Sequence, residues 1–258
     1  MFKFFRHIRQ KLLEENRFSK YLFYAIGEII LVVIGILIAL QINNWNENKK
    51  KNDSESLYYQ RLLEDFELEK ASISALKEDA DQRIKHSKRL IVELNYGTKD
   101  KYYIMNAFLK AFRSDAYVPK NVTFKDLISS GNLSIISDLT IKNSLIQFYG
   151  EQENVLGQIN SNRDEKVKVS FDVINNQEGF GIQEFDYLKR QLEPEILEVL
   201  PNYNWIDDKS SETYKRFQNL LLFNITMSDR DKQHLDRISN FMETPYRLLQ
   251  KKCGQEHD

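Results

Sequence analysis

The sequence contains little cysteine, proline or glycine: its 258 residues include one cysteine, four prolines and nine glycines. The single cysteine, Cys253, cannot form an internal disulfide, so cysteine usage assigns no redox compartment. Few helix-breaking residues, combined with abundant Leu, Ile, Lys, Glu, Asn and Gln, favour long helices over a strand-and-turn architecture. We therefore predict an all-α fold.

Motifs for catalysis, metal binding and nucleotide binding are also missing. The four histidines are scattered without His-Glu-x-x-His or Cys/His ligand spacing, and neither a glycine-rich phosphate loop nor Gly-x-Ser-x-Gly occurs. The sequence therefore predicts no catalytic residue, no metal site and no cofactor. The chain also lacks a basic surplus, since residues beyond position 20 carry a net charge of −5. Such a balance argues against a nucleic-acid partner.

One long apolar run stands out, at residues 21–42 (YLFYAIGEIILVVIGILIALQI). As a helix it would be about 33 Å long, which matches a hydrocarbon core of about 30 Å. The run is longer than the apolar region of a signal peptide, and Gln41, Asn43 and Asn44 close it where a small-residue cleavage site would be needed. We predict a retained transmembrane helix at residues 21–43, with membrane lipid as its partner.

The flanks of the run predict its orientation. Residues 1–20 place Phe2, Phe5, Ile8 and Leu12 at helical spacing among basic residues, the pattern of an amphipathic helix in the headgroup region. It either anchors the span or recruits a cytoplasmic factor. Six basic residues precede the run, against four within about twenty residues after it. We therefore expect a single-pass protein of the bacterial inner membrane, with a cytoplasmic amino terminus and a periplasmic carboxyl-terminal domain.

Glu28 interrupts the apolar run with a carboxylate. It shares a helical face with Gly35 and Ala39, whose small-xxx-small spacing lets two helices approach closely. We interpret this face as a candidate interface for self-association or for a membrane-protein partner. Because a carboxylate in hydrocarbon is costly, Glu28 is either paired there, protonated, or extended to the nearby interface.

The block with the core IGEIILVVIGILIALQINNWNE, residues 26–47, resembles the amino-terminal hallmark of an uncharacterised family of bacterial membrane-anchored proteins, classed as a domain of unknown function. The resemblance continues through YYQRLLED, residues 58–65, and TFKDLISSGNLSIISD, residues 123–138. It implies an anchored topology and brings no activity, cofactor or catalytic residue.

After the span, the pattern predicts a polar linker at residues 44–56 and a helical-bundle domain at residues 57–258. The main helices are expected near residues 55–95, 138–172 and 208–250, with a short one at 102–112 after a stop at Gly97. In the first of these, apolar residues at alternating three-and-four spacing include Leu63, Ile84 and Ile91. Such a seam is typical of a helix that packs in a bundle.

Residues 123–136 form a corner rich in small and aromatic side chains. Thr123 and Asp126 have the spacing of a capping box, and Gly131 is placed to end a short helix in the left-handed conformation. The corner is a candidate interaction site for a ligand or peptide, with these contributors: Phe124, Ser130, Gly131 and Asn132. The alternative is a purely structural corner held by its C-cap glycine.

The remaining segments carry weaker signals. Glycines around Phe180 suggest a loop that exposes this ring, a helix is expected at residues 183–200, and Pro245 should kink or end the last helix. That helix has polar residues where core residues are expected: Asn224, Ser228 and Asp231. They indicate either a ligand-binding notch or a break that is recapped at Ser228.

These features favour a noncatalytic membrane-tethered interaction or sensory module of the cell envelope. A cell-envelope hydrolase or polysaccharide-modifying enzyme with an interhelical cleft is the alternative, and it would need convergent acids or histidines. A third hypothesis is a receptor similar in plan to chemosensory four-helix bundles, which would pass its signal through another protein.

Overall fold

The computed structural model describes residues 18–97, 99–175 and 180–254, with side chains from residue 22 onward except Tyr24. Every regular element in this part of the chain is helical and none is a strand, which confirms the predicted all-α fold. The predicted amphipathic segment at residues 2–17 lies outside the described residues. The chain forms two units, Met1–Leu57 and Tyr58–Asp258.

The first unit is described by the amino-terminal part of helix α1 (Phe18–Tyr96). Its apolar side chains are exposed, with Leu31 at 68% and Ile42 at 61%. The stretch predicted to be a polar linker, residues 44–56, is helical. Nothing in its sequence stops the helix, because it holds neither proline nor glycine, and Ser54 Oγ donates a hydrogen bond to the carbonyl of Lys50.

The second unit is a bundle in which three long helices carry the core. After α1 come α2 (Lys101–Phe112) and α3 (Val122–Ser129), then the long helix α4 (Leu139–Asn175). Two short helices follow, α5 (Asp186–Lys189) and α6 (Pro194–Val199), and the long helix α7 (Glu212–Gly254) packs along α4. Single 3-10 turns lie at Asn132–Ile135, Ile182–Glu184 and Trp205–Asp207.

The bundle has two apolar cores. Phe66 of α1, Phe148 of α4 and Ile238 of α7 belong to the first core. Leu90 of α1, Val173 of α4 and Phe217 of α7 belong to the second, together with Trp205. Residue numbers rise from the first core to the second on α1 and α4 and fall on α7, so α7 runs antiparallel to both.

Several helix boundaries follow the predicted local rules. Gly97 ends α1 in the left-handed conformation at φ 58°, and Gly131 adopts φ 71° after α3. The Asp138 carboxylate accepts hydrogen bonds from the first backbone N–H groups of α4, and Ser211 Oγ accepts one from the backbone of Tyr214 at the start of α7. These caps confirm the predicted starts of both helices.

The capping box predicted at Thr123 is wrong. Helix α3 begins at Val122, so Thr123 lies inside it instead of capping it. The backbone N–H of Thr123 donates to a distant residue, Asp65 Oδ2 of α1, at 2.8 Å. A tertiary contact thus replaces the local cap, which sequence spacing alone does not reveal.

The helix predicted at residues 183–200 is instead broken into short pieces. Pro194 has no N–H and occupies the first turn of α6, so the helix cannot continue through it from α5. The predicted exposure of Phe180 is also wrong. Its ring is 2% exposed and stacks on Trp205, whose indole N–H donates to the Phe180 carbonyl at 2.8 Å. Residues 176–179 of this loop lie outside the described part of the chain.

Helix α7 has no break at Ser228, contrary to the recapping interpretation, and it does not end at Pro245 but continues to Gly254. Ser228 is fully buried, so it serves a tertiary contact rather than a helix start. At three of its positions, the seam of α1 is also shifted by one residue from the prediction. Leu62 and Leu90 are buried where Leu63 and Ile91 were expected, and Arg83 takes the place of Ile84.

Candidate functional site: a buried polar layer and a cationic cleft

A layer of polar side chains separates the two apolar cores. On each of the three long helices, the polar residues of the layer lie between the residues of the first core and those of the second core. Most of these side chains are less than 10% exposed. The layer comprises Arg83 and Ser87 of α1, Asn162 and Lys166 of α4, and Asn224, Ser228 and Asp231 of α7.

Arg83 is the centre of the layer. Its guanidinium donates to Ser228 Oγ at 3.2 Å and lies 3.5 Å from Asp231 Oδ2, and it also pairs with Asp79 one turn earlier on α1. Asn162 Nδ2 donates to the other oxygen of Asp231 at 2.9 Å. One cation thus satisfies two carboxylates, and the contacts join all three long helices.

Asn224 extends the layer toward α2. Its amide donates to Ser87 Oγ at 2.8 Å and to the backbone carbonyl of Ala111 at 2.9 Å. The polar residues of α7 that suggested a ligand-binding notch are therefore engaged by side chains and backbone of neighbouring helices. Sequence reasoning singled out these three α7 residues but missed Arg83, because the apolar Ile84 fits the expected seam equally well.

Lys166 is the cation of the layer that lacks a counter-ion in contact. Its side chain is 4% exposed, and its ammonium has no hydrogen-bond acceptor among the described residues. The ammonium lies 5.6 Å from the centroid of the Phe112 ring. Burial, assisted by the charge of Arg83, lowers the pKa of Lys166 to about 8, although Asp231 and Asp79 oppose this shift.

Lys166 lines a cleft of about 460 Å³ between α2, α4 and the start of α5. Arg113 and Arg163 also line it, and no acidic side chain does so among the described residues. The remaining walls are mostly apolar, with the rings of Phe108, Phe112, Phe171, Phe185 and Tyr187. A cleft with a cationic wall and aromatic walls suits an anion that carries an apolar body. Nothing in the spacing of Arg113, Arg163 and Lys166 predicted this convergence.

The predicted interaction corner is tied to α1 by two acids, the buried Glu69 and the half-buried Asp65. Glu69 is fully buried, accepts a hydrogen bond from the Tyr117 hydroxyl and a second one, at 2.8 Å, from the backbone N–H of Lys120. Burial, with the nearby Glu69 carboxylate, raises the pKa of Tyr117. With the contact of Asp65 to Thr123, these bonds hold the segment before α3 in place.

The four residues predicted for the corner are not all brought to one surface. Phe124 is half-buried, stacks on Tyr149 with 4.1 Å between ring centroids, and lines an open groove of about 910 Å³. Ser130, Gly131 and Asn132 do not line this groove. Ser130 Oγ donates to the carbonyl of Asp126, so it closes the last turn of α3.

In the first unit, the candidate interface residues occupy the apolar part of α1. Glu28 is half-buried, and Gly35 and Ala39 are exposed. A Cβ built on Gly35 would meet no atom within 4 Å, so the small residues leave open space on this face. Past the apolar run, Trp45 is 67% exposed and the Lys49 ammonium lies 6.0 Å from its ring centroid.

A family model described as a family of unknown function, DUF6090, matches residues 28–179. The match starts within the apolar run, continues through the rest of α1 and includes α2, α3 and α4, so it contains Arg83 of the polar layer and all three cations that line the cleft. Neither a curated protein nor a solved structure matches the chain.

Proposed function

The chain belongs to DUF6090, a family of unknown function, and we propose that it is a noncatalytic, membrane-tethered interaction or sensory module of the bacterial cell envelope. The observation that carries the proposal is the apolar part of α1, which is long enough to cross a bilayer and has none of its apolar window buried. Exposing so many large apolar side chains to water is unfavourable, and lipid removes that cost.

The residues beyond the run support the same assignment. Trp45 is an aromatic side chain of the kind that favours the membrane–water interface, and Lys49 beside it brings a charge that belongs in water. The surplus of basic residues before the run favours a cytoplasmic amino terminus. On this reading the bundle is periplasmic and the protein is a single-pass component of the inner membrane.

The noncatalytic part of the proposal rests on how the buried charges are used. Asp231 is the acid of the polar layer, and both it and the half-buried Asp79, one turn before Arg83, contact Arg83. Carboxylates that are held by a neighbouring guanidinium stabilise the fold and are not placed as a general acid and base pair. A polar layer that adjoins a surface cleft suits a domain that binds a ligand and transmits a signal better than it suits a hydrolase.

Membrane fractionation tests the tether. The protein should remain in the membrane pellet after an alkaline carbonate wash, and Val33→Arg with Ile36→Arg should release it, because each arginine at the centre of a span costs about 2.5–3.5 kcal/mol. A matched control places two arginines at exposed apolar positions of the bundle, Leu68 and Val92. Release of the wild-type protein by carbonate would overturn the proposal.

A further inference from the structure

We propose that the cleft lined by Arg113, Arg163 and Lys166 binds an amphipathic organic carboxylate, with the carboxylate at Lys166 and an apolar body along α4. The inference rests on the proposed function, because it names the ligand class that a sensory module of this kind would detect. It concerns residues of the second unit alone.

The strongest argument is the state of Lys166. A side chain that is 4% exposed carries an ammonium with no acceptor among the described residues, while the nearest acids contact Arg83 instead. Burying an unpaired charge is unfavourable, and such charges are retained where a ligand neutralises them. Because the pKa of Lys166 stays at about 8, the group is still mainly protonated at pH 7.

The shape and lining of the cleft define the ligand further. Arg163 and Lys166 also line a small cavity beside Arg83 and Asp231, which places them at the polar end of the cleft. Ile174 lies eight residues after Lys166 on α4, about 12 Å along the helix, and marks the apolar end beside Phe171. One anionic head and a rigid or short apolar body fit these dimensions.

The three cations act differently on such a ligand. Lys166 is buried, so its interaction with a carboxylate is weakly screened by water and salt. Arg163 is about half exposed and Arg113 is exposed, so these two serve mainly to attract the anion to the mouth of the cleft. An amine or a neutral amide of the same shape would leave the Lys166 charge without a partner.

Binding of 2-naphthoate by the full-length protein in lipid nanodiscs tests the inference, with empty nanodiscs as the blank. The wild-type protein should bind 2-naphthoate at least tenfold more tightly than the neutral 2-naphthamide. Lys166→Met should abolish this preference, and Lys166→Arg should keep most of it. Lys168→Met is the matched control, because Lys168 is exposed on the same helix and does not line the cleft.

Proton uptake on ligand binding distinguishes direct contact of the carboxylate with Lys166 from a purely structural role of this lysine. At pH 8 the bound carboxylate should raise the proton occupancy of Lys166, so calorimetry in buffers of different ionisation enthalpy should detect uptake of part of a proton by the wild type and none by Lys166→Met. Two results would overturn the inference. One is equal affinity of the wild type for 2-naphthoate and 2-naphthamide, and the other is unchanged binding of 2-naphthoate by a folded Lys166→Met protein. Membrane retention is scored separately, so a protein that binds naphthoate but is released by carbonate would contradict only the tether.

Discussion

At the scale of single residues, the bundle is organised by one guanidinium. Arg83 joins Asp79, Asp231 and Ser228 in a setting where its side chain is 5% exposed. Removing one partner of a buried ion pair leaves an uncompensated charge, which costs more than the pair contributes.

We therefore predict that Arg83→Leu lowers the free energy of unfolding by about 3–5 kcal/mol. Urea unfolding followed by the fluorescence of Trp205, in a Trp45→Phe background, measures the effect. Arg89→Leu is the control, because Arg89 is exposed and pairs with Glu93 one turn on. An effect of Arg83→Leu no larger than that of Arg89→Leu would show that the polar layer does not hold the helices together.

The lowered pKa of Lys166 makes the free energy of unfolding depend on pH. Its pKa is lowered from 10.5 to about 8 in the folded state, so between these values the unfolded chain binds more protons and stability rises with pH. This contribution, about 3 kcal/mol, is complete above pH 10.5 and is lost as the pH falls through 8. The charged groups that face Lys166 come from three helices and the segment after α2: Asp79, Arg83, Asp231, Arg163 and Arg113.

Lys166→Met removes the titrating group and should be more stable than the wild type at pH 7. The difference in free energy of unfolding between the two proteins should shrink as the pH is raised from 8 to 10. Comparing the two proteins at each pH cancels the titration of tyrosines and other lysines. A constant difference across this range would contradict the assigned burial of the ammonium.

Gly181 is a position where backbone conformation and packing both require glycine. Its φ of 99° is in the left-handed region, and a Cβ there would collide with Cε and Nζ at the end of the Lys101 side chain. Lys101 Nζ in turn donates to Asn202 Oδ1 and the Tyr203 carbonyl, at 2.8 and 2.7 Å. We predict that Gly181→Ala destabilises the bundle by about 1–3 kcal/mol.

The matched control for that substitution is Gly157→Ala on α4. Gly157 is helical, and a Cβ added there would meet no atom within 4 Å. Alanine should stabilise the helix by about 0.5–1 kcal/mol at such a site. Thermal unfolding that ranks the two variants in the opposite order would refute the strain assigned to Gly181.

At the scale of helices, the sequence predicted most elements but few of the contacts between them. The long helices and the stop at Gly97 depend on neighbours in sequence, and these predictions are confirmed. Local caps at Asp138 and Ser211 start two of these helices close to the predicted positions. The boundary of α3 was misplaced because the backbone N–H of Thr123 is satisfied by Asp65, 58 positions away in the sequence. Local spacing carries no information about such a partner.

The polar layer was detected only in part, for a similar reason. Asn224, Ser228 and Asp231 interrupt an apolar stripe, and this interruption is visible in the sequence. Arg83 and Lys166 are long, charged side chains that resemble surface residues until the fold buries them. The convergence of Lys166 with Arg113 and Arg163 depends on how α2 packs on α4, so the cleft could not be predicted.

Self-association through the apolar part of α1 can be tested at the scale of helices. If the face of Gly35 and Ala39 is an interface in the membrane, Gly35→Leu should weaken self-association of the protein in lipid, because a large side chain prevents close approach of two helices. Gly27→Leu is the matched control. A Cβ added to Gly27 would also meet no atom within 4 Å, but Gly27 lies about 80° from Gly35 around the helix.

Crosslinking in native membranes measures this effect. We expect Gly35→Leu to reduce the dimer yield severalfold and Gly27→Leu to leave it near the wild-type level. Equal yields from all three proteins would show that this face does not mediate self-association and would leave Glu28, Gly35 and Ala39 available only to a different membrane protein.

At the scale of the whole molecule, the chain carries a helical stretch with exposed apolar side chains and a bundle whose centre is polar. Polar and charged side chains of three helices contact one another in its polar layer, and one cation of that layer, Lys166, also lines the cleft. Under the proposed function, occupancy of the cleft would be coupled to the packing of α1, α4 and α7, because Lys166 belongs both to the cleft and to the polar layer.

The central claim is that the apolar run crosses the membrane and places the bundle outside the cytoplasm. Labelling by a membrane-impermeant maleimide tests it most directly, in a Cys253→Ser background with a single cysteine at either of two positions. Lys88→Cys, on an exposed site of α1 within the bundle, should be labelled once the outer membrane is permeable, and Lys3→Cys only after the inner membrane is opened. Labelling of Lys3→Cys before Lys88→Cys would reverse the orientation, and equal labelling of both without opening the inner membrane would contradict a membrane-spanning helix.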